Sequence, residues 1–326
     1  MAVQLDRPAP VSGVLASFID EAPRLRAFVP PFRFTSFFSP EDTLLCAIAA
    51  ETALAHARPV HRGNGQGSPR TRIAELTTGS GLVGLHLVRI ERGSMLAGLD
   101  LDRCAVDTAS HNARLLGVHA RARFERADLW SDRTDHLLNE YEPDLIVCNP
   151  PYVPEPKRGL LDVTAGAGPD GTAHLMRTLE LAALVQPRAL ALSWCSLSDP
   201  AKIVRKAANC GYALNSLFVV AIADGEYSGS VHEYLRSIAN CYISESPESL
   251  EHVAPDGSGR FAYLLMAGDF SQSDYINGET SDAVESIARE FASRGVGSLS
   301  SVEAPMPVRA WILDRWDELR LRAMLH

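Results

Sequence analysis

The sequence predicts an α/β protein built on a seven-stranded, mostly parallel sheet with helices on both faces. Three observations carry that expectation. From residue 71 onward, short apolar runs alternate with stretches of helical character. That alternation implies right-handed crossovers between parallel strands. The first run ends in a glycine turn that leads directly into a helix. A composition of 46% apolar and 22% charged residues also reads as a globular chain and not a disordered one.

In chain order, residues 14–57 read as helical. The clearest signal is Ser39-Pro40-Glu41-Asp42 ahead of TLLCAIAAETALAHA. Ser39 can cap, Pro40 suits the first helical position, and the two acids sit at the positive end of the helix dipole. The following ARPVHRGNGQGSPRTR is rich in Gly, Pro and Arg without apolar period, and reads as a basic linker. Strands are expected at RIAELTT (72–78), SMLAGLD (94–100), RARFERAD (121–128), DLIVCNP (144–150) and RALALSW (188–194). Helices are expected at about 81–92, 103–117, 132–141, 171–186 and 199–210. A late pair, 213–223 and 259–268, can close the sheet as an antiparallel hairpin. The 35 residues between them form a connection of the length usually reserved for function. Helical patterns recur at 280–293 and at 308–325, the second carrying Trp311, Leu313 and Trp316. The expected division is an N-terminal helical segment (1–57), a linker (58–70), a ligand-binding core (71–270) and a C-terminal extension (271–326).

A formal charge of −9 argues against a general nucleic-acid coat, which needs a concentrated cationic surface. No run approaches the roughly 20 apolar residues of a membrane helix, and no secretory signal opens the chain, so a cytoplasmic protein without membrane contact is expected. The six cysteines are scattered without a C-x-x-C pair, which suits buried free thiols and no metal site. No Ser-His-Asp, H-E-x-x-H or carboxylate cluster argues for a hydrolase.

Two motifs carry chemistry. Glu75-Leu76-Thr77-Thr78-Gly79-Ser80-Gly81 sits between strand and helix, where glycines let a ligand approach the backbone and free N–H groups. Gly79, Gly81 and Gly84 satisfy G-x-G-x-x-G, a weak signal alone. Asp100 closes the second strand, where an acid accepts from both ribose hydroxyls of a bound nucleoside; Asp102 is better placed as cap of the next helix. Together these fit a dinucleotide and an adenosyl ligand equally. The second motif is Asn149-Pro150-Pro151-Tyr152 at the end of the fourth strand, the edge where open α/β sheets bind ligands. The Asn149 side-chain carbonyl and the Pro150 backbone carbonyl, both fixed, suit the two N–H groups of a planar –NH2. Holding them aims a weakly nucleophilic lone pair by position, without a base. Tyr152 can stack on a planar substrate.

On these residues the chain resembles the class I S-adenosylmethionine-dependent methyltransferases with an N-P-P-Y motif, a Rossmann-like fold. That subgroup contains adenine-N6 enzymes of DNA and RNA and the release-factor glutamine-N5 enzymes. The likeness covers about residues 36–270 and has four parts: PEDTLLCAIAAE (40–51), ELTTGSG (75–81), GLDLD (98–102) with ADLW (127–130), and Asn149–Tyr152. It implies S-adenosylmethionine as cofactor. Glu75, Thr77, Gly79 and Gly81 would form the turn at its methionyl end, Asp100 would bind the ribose, and Leu101 would flank the adenine. Asp128 would accept from the adenine amine with Leu129 adjacent, and Asn149 would serve both cofactor and substrate. Asn149, Pro150 and Tyr152 are then the catalytic residues, with Pro151 and Tyr152 against the substrate. Gly168-Pro169-Asp170-Gly171 resembles the glycine-aspartate-glycine loop of the glutamine enzymes and adds Asp170.

The departures are Thr77 in place of the first glycine and Ser-Trp-Cys-Ser (193–196) at the end of the fifth strand. The connection 224–234 offers Glu226, Tyr227, His232, Glu233 and Tyr234. Of these, Glu226, Tyr227 and Glu233 are expected against a cationic or aminated substrate, and His232 is a candidate base. The expected acceptor is accordingly a small molecule bearing an amide, guanidinium or aryl-amine nitrogen. A protein glutamine or an RNA or DNA adenine is the alternative. A nicotinamide-dependent oxidoreductase and a non-catalytic partner protein are further alternatives. Oligomeric state is left open.

Overall fold

The computed structural model describes residues 39–58, 70–157, 159–274 and 278–312. The N-terminal part of the predicted first helix, most of the linker and residues 313–326 lie outside the described residues. The chain begins with helix α1 (Pro40–Ala57), followed by β1 (Arg72–Leu76), α2 (Leu82–Ile90), β2 (Met95–Asp100), α3 (Arg103–Leu115), β3 (Ala122–Arg126), α4 (Asp132–Tyr141) and β4 (Leu145–Cys148). It continues through α5 (Ala173–Val185), β5 (Ala189–Cys195), α6 (Pro200–Asn209) and β6 (Tyr212–Ala223). Three short helices follow, α7 (Glu226–Ser230), α8 (His232–Ser237) and α9 (Pro247–Val253), and then β7 (Ala262–Gln272), α10 (Gly278–Arg294) and β8 (Val308–Ile312).

The strands form one sheet in the order β3-β2-β1-β4-β5-β7-β6-β8. Strands β3, β2, β1, β4 and β5 run parallel, while β7 is antiparallel to both β5 and β6. The fully buried runs explain this. Leu145–Cys148 and Ala189–Cys195 are buried on both faces, as central strands covered twice must be. Helices α1, α2 and α3 supply the core on one face, and α4, α5, α6 and α10 that on the other.

Helix α1 is apolar nearly all round and lies across β5, β7 and β6. Only a helix buried on most sides tolerates that pattern. It is joined to α2 by His86 Nε2 and Glu51 Oε1 at 2.5 Å. Ser39 precedes α1 but its side chain makes no capping bond; its carbonyl accepts from Thr43 N at 3.1 Å and Thr43 Oγ1 at 2.7 Å instead. Asp102 does cap α3, its Oδ1 accepting from Cys104 N at 2.9 Å.

Two expectations need correction. The sheet has eight strands, not seven, and the extra one is 308–312, predicted to open a helix. Its register pairs Leu217–Ala221 with Val308–Ile312 in parallel, burying Trp311 completely. Val, Trp and Ile suit a pleated surface, and the open edge of β6 gave them a partner that helical spacing concealed. The long connection 224–258 is not one loop but carries α7, α8 and α9, tied down by Ser244 bridging Ala262. Cys46, Cys148 and Cys195 are buried free thiols, while Cys104 is exposed. No described helix is long and apolar enough to cross a membrane.

Candidate functional site

A cleft of about 800 Å³ opens at the carboxyl ends of β1, β2, β3 and β4, a size that suits a nucleoside-bearing ligand with room for a second group. The sequence folds this way because each of these strands ends in a turn that cannot continue the ladder.

At β1 the turn runs through positive φ at Thr77, Gly79 and Gly81 (53°, 54° and 76°). Thr77 and Gly79 line the cleft. A Cβ on Gly79 would meet nothing within 4 Å, so open space lies in front of the turn. Gly81 faces inward, where a Cβ would press on Ala109 and Phe124 at 3.0 and 3.2 Å. Glu75 also lies beneath the turn. It accepts from Gly84 N at 3.0 Å and from the Thr78 hydroxyl, and burial holds its carboxyl up at about 7. Glu75 and Gly81 therefore do not line the cleft. They support the turn from below, because the strand's inward-facing register points Glu75 under α2.

At β2, Asp100 lines the cleft. Its Oδ2 accepts from Gly79 N at 2.8 Å and its Oδ1 from Asp102 N at 2.9 Å, so it joins the two turns. Each oxygen keeps a further lone pair for a ligand hydroxyl. Burial raises its pKa. Leu101, Asp128 and Leu129 line the same end, and Asp128 Oδ1 accepts from Trp130 N at 3.0 Å. Two residues the sequence reading passed over stand beside them, Trp130 and His174, with ring centroids 4.8 Å apart. The signal for Trp130 was its place directly after the acid and leucine of the third strand.

At β4, Asn149, Pro150, Pro151 and Tyr152 all line the cleft. Asn149 Oδ1 is buried and has no hydrogen-bond partner. A buried amide oxygen left unbonded costs on the order of 1–3 kcal/mol, so this acceptor is poised for a donor that enters the cleft. The Tyr152 hydroxyl donates to Asp42 Oδ2 at 2.6 Å. Asp42, in the first turn of α1, was read only as a dipole acid, yet it lines the cleft with Glu41. Burial, with Glu41 beside it, raises its pKa to about 7.

Glu226 and Tyr227 line the cleft from α7. Asp170 and Glu233 do not. Asp170 pairs with the Lys202 ammonium and bonds Thr172 Oγ1 at 2.8 Å, which fixes the entry to α5 and lowers its pKa. Glu233 is exposed on α8. His232 stacks on Phe261 at 4.8 Å and meets Glu245 at 2.9 Å, which makes it a packing residue and not a base in the cleft. Among the described residues no cluster of His, Cys, Asp and Glu is arranged to hold a metal.

Residues 64–161 match the family model Methyltransferase small domain. A release factor glutamine methyltransferase of Chlorobaculum tepidum is 34% identical over 121 residues, covering 36% of this chain and 40% of that protein. A ribosomal RNA large subunit methyltransferase G of Shewanella amazonensis is 32% identical over 81 residues, 24% of this chain and 20% of its own. The crystal structure of a putative RNA methyltransferase from Pyrococcus horikoshii covers 78% of this chain and 98% of its own at 11% identity, with a TM-score of 0.46. In the segment 64–161 the chain is similar to proteins named as methyltransferases. The chain spans two fifths or less of the length of these sequence relatives.

Proposed function

We propose that this protein transfers a methyl group from S-adenosylmethionine to a planar nitrogen of an uncharged or cationic acceptor, with a protein glutamine carboxamide as the first candidate. The observation that carries the reading is the buried, unbonded Asn149 Oδ1 at a turn stiffened by two prolines, in the same cleft as the glycine turn. Asn149 Oδ1 and the Pro150 carbonyl would accept from the two N–H groups of the acceptor and fix the direction of its lone pair. Asp100 would accept from the ribose hydroxyls, Asp128 from the adenine amine, and Leu101 and Leu129 would flank the ring. Thr77 and Gly79 would border the methionyl end, with Glu75 and Gly81 holding the turn from below. Bound there, the cofactor supplies an activated methyl on a sulfonium. The protein's contribution is position and electrostatics, which suffice for an in-line displacement.

The charge of the cleft supports the choice of acceptor. Its described lining holds Glu41, Asp42, Asp100, Asp102, Asp128 and Glu226 and no Lys or Arg. A phosphate backbone would be repelled there, whereas a neutral carboxamide or an amine would not. This favours the kind of acceptor that the glutamine methyltransferase relatives are named for over that of the ribosomal RNA relatives. The small-molecule acceptor expected from the sequence is kept as a second reading, because residues 163–165 and 225–228 also wall the cleft.

Calorimetric titration with S-adenosylhomocysteine, with NAD in parallel, tests the donor. Micromolar binding of the former alone is expected, and its absence would return the weight to a non-catalytic partner protein. Transfer of labelled methyl to a release factor, to ribosomal RNA and to small amides and amines then identifies the acceptor. Asn149→Ala is expected to lower turnover at least about 100-fold with cofactor affinity nearly unchanged. Asp100→Ala is expected to weaken the cofactor about 10- to 100-fold. A near-normal rate for Asn149→Ala would overturn the mechanism.

A further inference from the structure

We infer that Asp42 is the counter-charge for the sulfonium end of the methyl donor, and so the residue by which the cleft distinguishes the donor from the spent thioether. The inference rests on the proposed function, since it takes the cleft to bind S-adenosylmethionine. Its geometry is that of the Asn149–Tyr152 turn. The transferable methyl must lie between the acceptor nitrogen held by Asn149 and the sulfur that releases it. Asp42 is bound to the same turn, its Oδ2 accepting from the Tyr152 hydroxyl at 2.6 Å, and it lines the same cleft. The other carboxylates of the strand ends, Asp100, Asp102 and Asp128, stand at the nucleoside end. They meet parts that donor and thioether share.

Among the described residues, none that faces Asp42 is a Lys or Arg. Glu41 flanks it on α1, Tyr152 and Tyr263 face it from the β4–α5 connection and from β7, and the Cys46 and Cys195 thiols lie nearby on α1 and β5. Glu75 is the next acid beyond Cys46, below the glycine turn. No Lys or Arg lines this cleft among the described residues. A buried carboxylate without a cation is costly, and an incoming sulfonium would relieve that cost. Methyl transfer removes the attraction. The nitrogen gains the methyl, the carbon–sulfur electron pair stays on sulfur, and the positive charge leaves the nitrogen as a proton taken up by solvent. The thioether that remains is neutral at sulfur, and Asp42 no longer retains it.

With its pKa near 7, Asp42 is ionised above that pH and neutral below it. The discrimination is therefore present at pH 8 and lost at pH 6. Calorimetric titration of the full chain with S-adenosylmethionine and S-adenosylhomocysteine at both pH values tests this without any acceptor. In the unaltered protein the affinity ratio, donor over thioether, is expected to fall about tenfold from pH 8 to pH 6. Asp42→Asn is expected to give the low ratio at both pH values while still binding both ligands. Tyr152→Phe removes a hydrogen bond that favours the ionised form, so the step should move to higher pH. It keeps the test open if Asp42→Asn does not fold. Binding of both ligands with a ratio that ignores pH and Asp42→Asn would overturn the inference and leave the proposed function standing. Failure of the unaltered protein to bind either ligand would overturn both.

Discussion

Thr77 illustrates what a single residue contributes to the cleft. It holds φ at 53°, a conformation that glycine adopts freely and a β-branched residue adopts at a cost of about 1–2 kcal/mol. Its hydroxyl donates to the Leu76 carbonyl at 2.6 Å, which offsets part of that strain. The turn thus keeps its shape without glycine, the residue best suited to a positive φ. Thr77→Gly is expected to stabilise the protein by up to about 1 kcal/mol, the relief of strain outweighing the extra entropy of glycine in the unfolded chain. Urea denaturation measures it. A loss of stability would mean that the hydroxyl bond outweighs the strain.

At the scale of elements, the Asn149–Tyr152 turn is held by its neighbours. Gly171, at the entry to α5, has φ 70° and packs directly on the Tyr152 carbonyl, with Ser198 Cβ 2.7 Å from the position a Cβ would take. The loop 153–168 is tied back by Val153 bridging Gly166 and by buried Glu155, whose Oε2 accepts from Leu160 and Leu161 N at 3.0 Å each. The glycine-aspartate-glycine loop thus shapes the site through packing, which is why Asp170 itself can stay outside the cleft. Gly171→Ala should cost about 2–3 kcal/mol and displace the Asn149–Tyr152 turn. The check is a paired one, thermal stability and methyl-transfer rate, and the rate should fall further than stability alone accounts for. Full activity in a stable Gly171→Ala protein would show that the turn does not depend on this contact.

For the whole molecule, the buried acids in and beneath the cleft make stability depend on pH. Glu75 and Asp42 both have pKa values raised by burial to about 7, from ordinary values of 4.5 and 3.8. A raised acid binds its proton more tightly in the folded state than in the unfolded one. Its contribution is fully present below about pH 4, and it is lost as pH rises to about 7. Each group removes on the order of 3 kcal/mol across that window. Glu75→Gln should therefore flatten the decline, so that the stability difference between pH 5 and pH 8 shrinks by about 2–3 kcal/mol. Denaturation at the two pH values measures it. An unchanged difference would mean that Glu75 ionises normally beneath the turn.

The order of strands and helices, the glycine turn, the acid at the end of β2 and the Asn149–Tyr152 turn were all legible from the sequence. Each is dictated by local rules: apolar runs covered on both faces, residues that permit positive φ, and prolines that stop a strand. What the tertiary structure decided is everything that depends on where a side chain meets a distant one. Glu75 and Asp100 both end strands, yet register sends one beneath the turn and leaves the other on the cleft wall. Asp42 entered the cleft because α1 lies across the sheet and brings its first turn to Tyr152, a contact between residues 110 positions apart. Val308–Ile312 became a strand because β6 offered an edge. Periodicity reports which face of an element is apolar; it does not report which other element that face will find.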